Sequence, residues 1–213
     1  QNKKYIFIVY YAFGEDIDLL RKLGFKIVKQ ELYGMEYIYR TENWVKLEGS
    51  EFKSIRKVIN KFKKEHKFEV LYKYSRNKII EFMKEWEKSK DLSNKSENVK
   101  QIFKYDFDSC VHYLELMNKL PNKAIFIEID NRLIGFTIFL KLYDDLWVSL
   151  MQKTNINYRG LAKFFYHLKA IEMKGIEYFT TGTEAQDPSL AEFKESLNPI
   201  KKIPLYEVGY TLK

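Results

Sequence analysis

The residues best suited to chemistry are basic and gathered on one helical stretch. Lys53, Arg56, Lys57, Lys61, Lys63 and Lys64 occupy the outer faces of residues 51–67, whose inner face carries Phe52, Ile55, Val58, Ile59 and Phe62 at helical spacing. Such a face can neutralise nucleic-acid phosphates, each contact adding a salt-dependent increment of affinity. An ordinary solvated helix surface has the same composition. Arg56, Lys57 and Lys61 are the candidates for phosphate contact, and of these Arg56 can pair with a phosphate through two parallel N–H groups. His66, His112 and His167 stand far apart, which argues against a catalytic or metal role for them. Cys110 is the only cysteine, so an intrachain disulfide and a Cys-rich zinc site are excluded.

The charge balance points the same way without choosing a partner. Lys and Arg number 37 against 29 Asp and Glu, a net charge of +8, which favours nucleic acid, coenzyme phosphates or an anionic membrane surface. No apolar run reaches the roughly 18 to 20 residues that a spanning helix needs, and no signal-peptide pattern opens the chain. The expected location is the cytoplasm, with peripheral membrane contact as the extension that the charge allows. At 213 residues and 46% hydrophobic composition the chain can form one large domain or two small ones. It opens on Gln1 and enters a strand-like run at Tyr5, so a preceding segment is expected in the full-length protein.

The elements that must position these residues follow from periodicity. Residues 5–10 read as a buried strand, 15–23 as a short helix stopped by Gly24, and 25–28 and 35–39 as two strands separated at Gly34. After the basic helix come a strand over 68–72, a helix over 76–88 with Ile79, Ile80, Met83 and Trp86 inward, a polar loop over 89–98 and a helix over 99–118 broken near 106–109. Residues 124–129 and 133–140 read as a hairpin on Asp130-Asn131, because both types tolerate positive φ. Residues 147–153 supply a third strand. The turn Asn157-Tyr-Arg-Gly-Leu-Ala162 then opens a helix with Leu161, Phe164, Phe165, Leu168 and Ile171 at apolar spacing, followed by a strand over 176–180, a helix over 188–197 and a last strand over 206–212. Asp187-Pro188 reads as an N-cap followed by proline at the first helical position.

This order, three antiparallel strands, a helix entered through a Gly-containing turn, then strand, helix and strand, resembles the Gcn5-related acyltransferase core. In that family the turn reads Gln or Arg, two residues, Gly, one residue, Gly or Ala. Asn157, Gly160 and Ala162 fall on the three marked positions, with Asn departing from the first. Two further segments look like the phosphatidylglycerol lysyltransferase C-terminal family. Leu47-Glu-Gly-Ser-Glu-Phe-Lys-Ser-Ile-Arg-Lys-Val-Ile-Asn-Lys-Phe62 is similar to its Leu-x-Gly-x-x-Phe-x-x-x-Arg-x-x-x-Asn-x-Phe stretch, and Leu190-Ala-Glu-Phe-Lys-Glu-Ser-Leu-Asn-Pro199 to its late Leu-x-x-Phe-Lys-x-Ser-Phe-x-Pro signature.

The resemblance implies an α+β fold, a mixed sheet flanked by helices. Residues 1–45 would be the C-terminal part of a first acyltransferase-like half, and 46–213 a second such domain carrying the basic linker helix 51–67. It implies a transferase that moves an aminoacyl group from aminoacyl-tRNA to an amine or hydroxyl acceptor such as a lipid headgroup, or an acyl group from coenzyme A. No permanently bound cofactor and no metal is expected, the donor being a co-substrate. The backbone at Asn157, Arg159, Gly160, Leu161 and Ala162 would cradle donor phosphates at a helix N-terminus, with the Arg159 side chain as a charged supplement. Lys194, in the matching Phe-Lys motif, would stabilise developing negative charge. Glu184 would hold an amino group or position Lys194, or is a solvated loop carboxylate. A reading of another class is a degenerate domain that binds nucleic acid or a membrane surface without catalysis, which the Asn at position 157 favours.

Overall fold

The computed structural model describes residues 6–89, 97–184 and 187–212. Its elements run β1 (Phe7–Ala12), α1 (Gly14–Lys22), β2 (Lys26–Arg40), α2 (Thr41–Lys46), α3 (Lys53–Glu65), β3 (Glu69–Leu71), α4 (Arg76–Lys88), α5 (Glu97–Leu116), a 3-10 turn (Met117–Lys119), β4 (Asn122–Ile129), β5 (Arg132–Lys141), β6 (Leu146–Thr154), α6 (Leu161–Glu172), β7 (Tyr178–Thr183), α7 (Pro188–Glu195) and β8 (Lys201–Thr211). The chain forms two compact units, residues 1–40 with 180–213 and residues 41–179, so strand β7 passes from one to the other at Phe179–Thr180.

In the first unit β8 lies between β1 and β2 and pairs antiparallel with both. Two departures from the sequence reading have one cause. Gly34 does not separate two strands, because β2 runs through it with a register shift between Leu32 and Gly34, the long β8 supplying partners on either side. Strand β8 in turn begins at Lys201 rather than Tyr206 and contains Pro204. Pro204 is tolerated because β1 pairs only with Tyr206 to Tyr210, so the proline sits where the β1 side of β8 has no ladder to complete. Ala12, Ile17 and Val208 form a small core over which α1 closes.

In the second unit β3, β4, β5 and β6 are sequential antiparallel neighbours. The hairpin joining β4 to β5 turns on Asp130 and Asn131 at φ of 50° and 61°, as their types required. Helix α4 lays Ile79, Phe82 and Met83 on Phe126, Phe136 and Ile138, and α5 adds Cys110 and Leu114 to the same core. Helix α5 is unbroken through 106–109, and most of the expected 89–98 loop lies outside the described residues. The inward face of α6 holds Leu161, Phe164 and Phe165 as expected and adds Tyr166, Lys169 and Ala170, whereas Ile171 is 45% exposed. This helix sits close on β5 because Gly135 has no side chain there. A Cβ would lie 2.9 Å from both the Lys153 carbonyl oxygen and the Phe165 ring. Among the described residues no helix is long and apolar enough to cross a membrane.

Candidate active site

Lys194 lies in the last turn of α7, whose start is fixed by Asp187. The Asp187 carboxylate accepts hydrogen bonds from the backbone N–H groups of Ser189 at 2.9 Å and Leu190 at 3.4 Å, with Pro188 at the first helical position. The lysine is not a surface residue. It is 4% exposed, and its ammonium donates to the carbonyl oxygens of Thr181, at 3.0 Å, and Gly182. Gly182 adopts φ +74°, a left-handed conformation that glycine enters without Cβ strain, and its carbonyl then serves the lysine.

Two carboxylates accompany that ammonium. Glu184 is buried rather than solvated, and both its oxygens accept the Met35 backbone N–H at 3.0 Å. Glu36, on β2, lies beside the same segment: the Gly182 N–H donates to Thr180 Oγ1 at 3.3 Å and adds its partial positive charge to the surroundings of the Glu36 carboxylate, while the Gly182 carbonyl takes the Lys194 ammonium. Burial drives the Lys194 ammonium down to about 8, against the opposing pull of the Glu36 and Glu184 charges. Burial raises the Glu36 carboxyl, while the Lys194 charge and the Gly182 N–H pull it back. Glu36 escaped the sequence reading because it looked like one polar position in an alternating strand. Its approach to Gly182 depends on strand pairing between residues far apart in the chain.

The second unit carries the turn. Asn157 and Arg159 are exposed, Gly160 and Ala162 half-buried, and Leu161 is fully buried in the core. Gly160 caps α6 at φ +96°, and its Cα rests against the Val58 carbonyl of α3, where any Cβ would collide. Packing therefore demands this glycine whether or not a phosphate is bound. The helix it opens is twelve residues long, so its first-turn N–H groups carry the usual positive end of a helix dipole.

On α3, Lys57 and Lys61 are exposed, Lys61 pairing loosely with Glu65 at 3.6 Å. Arg56 has a different setting. One guanidinium nitrogen donates to the carbonyls of Leu47 and of Gly49, the latter at 2.9 Å. Leu47 and Gly49 both have positive φ, 53° and 83°, so Arg56 fastens a strained turn. The Cys110 thiol is pushed up to about 11 by burial and is no nucleophile at neutral pH. Among the described residues no group of three His, Cys, Asp or Glu is placed to hold a metal ion.

The model of the phosphatidylglycerol lysyltransferase C-terminal family matches residues 1–208. The chain belongs to that family. No curated protein matches it. Among solved structures, a conserved protein of unknown function from Bacteroides thetaiotaomicron VPI-5482 superposes with TM-score 0.78 at 16% identity, over 99% of this chain and 70% of that one. L-PGS from Bacillus licheniformis gives TM-score 0.64 at 16% identity, over 96% and 67%. The C-terminal domain of a putative lysylphosphatidylglycerol synthetase from Agrobacterium fabrum gives 0.59 at 13%, over 95% and 66%. At these identities the likeness is one of fold, and the chain spans about two thirds of the length of each.

Both motifs acquire physical reasons in this setting. Leu47, Gly49 and Arg56 make the carbonyl clasp, and Phe62 is core. In the late segment, Ser196 donates its hydroxyl to the Phe193 carbonyl at 2.7 Å, Leu197 is fully buried and Asn198 turns the chain at φ +60°. Lys194, the motif's lysine, is buried and spends its ammonium on the Thr181 and Gly182 carbonyls.

Proposed function

We propose that the chain transfers an aminoacyl group from aminoacyl-tRNA to an amine or hydroxyl acceptor such as a lipid headgroup. The observation that carries this reading is the buried ammonium of Lys194. An ammonium has three donors, and two are spent on the carbonyls of Thr181 and Gly182. On this reading the third serves an oxyanion, and a charge-assisted donor in a dehydrated setting is worth far more there than in water. The acceptor lone pair attacks the ester carbonyl carbon, and the carbonyl π pair moves onto oxygen, where the third Lys194 N–H meets it. Collapse breaks the bond to the ribose oxygen, which takes up the proton the acceptor has lost. Glu184 acts as a positioning residue. It holds β2 through Met35 and, with Glu36, favours the charged form of Lys194.

The donor phosphates are assigned to the backbone over Arg159 to Ala162, with Asn157 and the Arg159 guanidinium at the rim. A pyrophosphate-bearing donor, an acyl-coenzyme A, is the second reading, favoured by the left-handed Gly160 that heads α6. Lys57 and Lys61, exposed on α3, suit tRNA phosphates. The acceptor headgroup implies contact with an anionic membrane surface from the cytoplasmic side.

The test is titration of the full-length protein with aminoacyl-tRNA and acetyl-coenzyme A in parallel, followed by two variants. Lys194→Ala lowers turnover by about a hundredfold, the usual cost of one oxyanion donor, while donor affinity stays near the wild-type value. Arg159→Ala weakens donor binding with a smaller effect on turnover. Binding of neither donor supports the non-catalytic reading instead, and an alanine variant at 194 with unchanged turnover removes the oxyanion role of Lys194.

A further inference from the structure

We infer that Lys169 is a positioning residue that locks the donor-binding first turn of α6 to strand β6, an inference that rests on the donor being held at the Gly160 turn. Lys169 is fully buried, with 0% exposure, on the face of α6 that meets the sheet. Its ammonium donates to Ser149 Oγ at 2.6 Å and to Gln152 Oε1 at 2.9 Å, and lies 3.9 Å from the centre of the Tyr166 ring. The Gln152 amide then reaches back to the helix, Nε2 donating to the Ala162 carbonyl at 3.2 Å. The result is a closed circuit from helix to strand and back to the same helix two turns earlier.

The two strand contacts fall on either side of an irregularity. Strand β6 pairs Ser149 with Phe139 and Met151 with Ile138, leaving Leu150 as an extra residue, a β-bulge. Bulges bend a strand and re-aim the backbone at functional sites. Lys169 grips the residue before the bulge and the second residue after it. From the β5 side, buried Thr137 donates to the Met151 carbonyl at 3.0 Å. The bulge is thus braced from the helix and from the neighbouring strand, and the helix brace is the one that continues to Ala162 and the turn.

A buried ammonium is a costly way to fill space between a helix and a sheet. Methionine has similar length and no charge to desolvate, and well-packed apolar replacements of buried ions are often neutral or stabilising. What the lysine adds is directional: hydrogen bonds to Ser149 and Gln152, with the Tyr166 ring against the ammonium, set the tilt and depth of α6 against β6. Small displacements of a binding element lower rates and affinities out of proportion to their size.

The experiment compares Lys169→Met, Gln152→Ala and Ser149→Ala in the full-length protein, using coenzyme A and aminoacylated tRNA as probes. Lys169→Met is expected to keep its thermal midpoint or raise it, while donor affinity falls by about tenfold or more. Backbone amides of residues 161–165 are expected to exchange hydrogen faster. Gln152→Ala, which leaves the buried charge in place and cuts the link to Ala162, should raise the donor KM with little change in kcat. Ser149→Ala, which frees one end of the bulge, should lower kcat more than it raises KM. Should Lys169→Met fail to fold, the Gln152 and Ser149 variants carry the same test. Wild-type donor affinity together with wild-type exchange in residues 161–165 for both Lys169→Met and Gln152→Ala would overturn the inference. Failure of the underlying site assignment looks different: Arg159→Ala would then bind donor as the wild type does, whatever the exchange rates in α6.

Discussion

Tyr39 donates its hydroxyl hydrogen bond to the main-chain carbonyl of Lys194 at 3.0 Å, both residues being buried. Strand β2 thereby holds the backbone of the helical turn whose side chain carries the ammonium. Tyr39→Phe keeps the ring in the core and removes one buried hydrogen bond, so a loss of about 1 kcal/mol in unfolding free energy is expected from urea titration. Turnover should fall as well, because the Lys194 backbone is released, and donor affinity should not. Loss of donor binding in parallel with turnover would mean that Tyr39 supports the whole unit rather than Lys194.

Titration of Lys194 is expected to make both rate and stability depend on pH between about 8 and 10.5. Its ammonium ionises at about 8 in the folded chain, chiefly because it is buried, against an ordinary value of 10.5. If the charged form stabilises the oxyanion, kcat falls as pH rises through about 8, and Lys194→Arg, whose guanidinium stays charged, loses that limb even if its rate is low. For stability the sign is the opposite. Between about 8 and 10.5 the unfolded chain binds more protons at this group than the folded one does, so stability rises with pH across the window. Below it the cost is constant, on the order of 3 kcal/mol. Urea midpoints of wild type and Lys194→Met, measured at several pH values across the window, should converge as pH increases. Parallel curves would mean that the lysine titrates as an exposed one.

Strands β4, β5 and β6 were legible because short apolar runs and the Asp130-Asn131 turn are local signals, each carried by a few adjacent residues. Gly34 misled because a glycine reads as a break until a long partner strand is known to pair across it. The same long-range pairing hid Glu36, an unremarkable polar residue on β2 until Gly182 is brought beside it. Lys194 was legible as a motif position and illegible as a buried residue, since nothing within α7 distinguishes a solvated lysine from one turned onto two carbonyls. The α6 face was legible at Leu161, Phe164 and Phe165 and missed at Ile171 and Lys169, because hydrophobicity marks Ile171 as inward and charge gives no sign that Lys169 is buried. Polar partners on β6 hold that lysine inward.

Gly160→Ala tests how much of the turn is demanded by packing. At φ +96° alanine is strained, and its methyl group would meet the Val58 carbonyl of α3. A strained left-handed residue costs on the order of 1 to 3 kcal/mol, and the collision adds to it, so a clear fall in thermal midpoint is expected. Gly175→Ala provides the comparison. Its φ is +98° with nothing near the added carbon, so the difference between the two variants measures the contact between α3 and the turn. Equal losses would show that conformation alone explains the glycine.

The arginine and the lysines of α3 should separate cleanly. Arg56 holds the carbonyls of Leu47 and Gly49, and Leu47 pays for its positive φ by that clasp. Arg56→Ala leaves the carbonyl of buried Leu47 and that of exposed Gly49 without their charged donor, so a stability loss of about 1 to 3 kcal/mol is expected, chiefly from Leu47. Arg56→Lys should recover only part of it, because its shorter reach and flexible stem hold an ammonium less firmly at the two carbonyls that one guanidinium nitrogen serves. Lys57 and Lys61 are exposed, and the Glu65 contact of Lys61 is long, so Lys57→Ala and Lys61→Ala should leave the unfolding midpoint within about 0.5 kcal/mol of wild type. Their effect belongs to binding. If α3 lies along tRNA phosphates, each lysine removed should reduce the slope of log affinity against log salt by about 1, nearly independently of the tRNA used. Arg56→Ala, measured where it is still folded, should change that slope little. An unchanged slope in the double variant Lys57→Ala with Lys61→Ala would remove α3 from the tRNA surface and leave its lysines as the solvated face of a helix packed on α6.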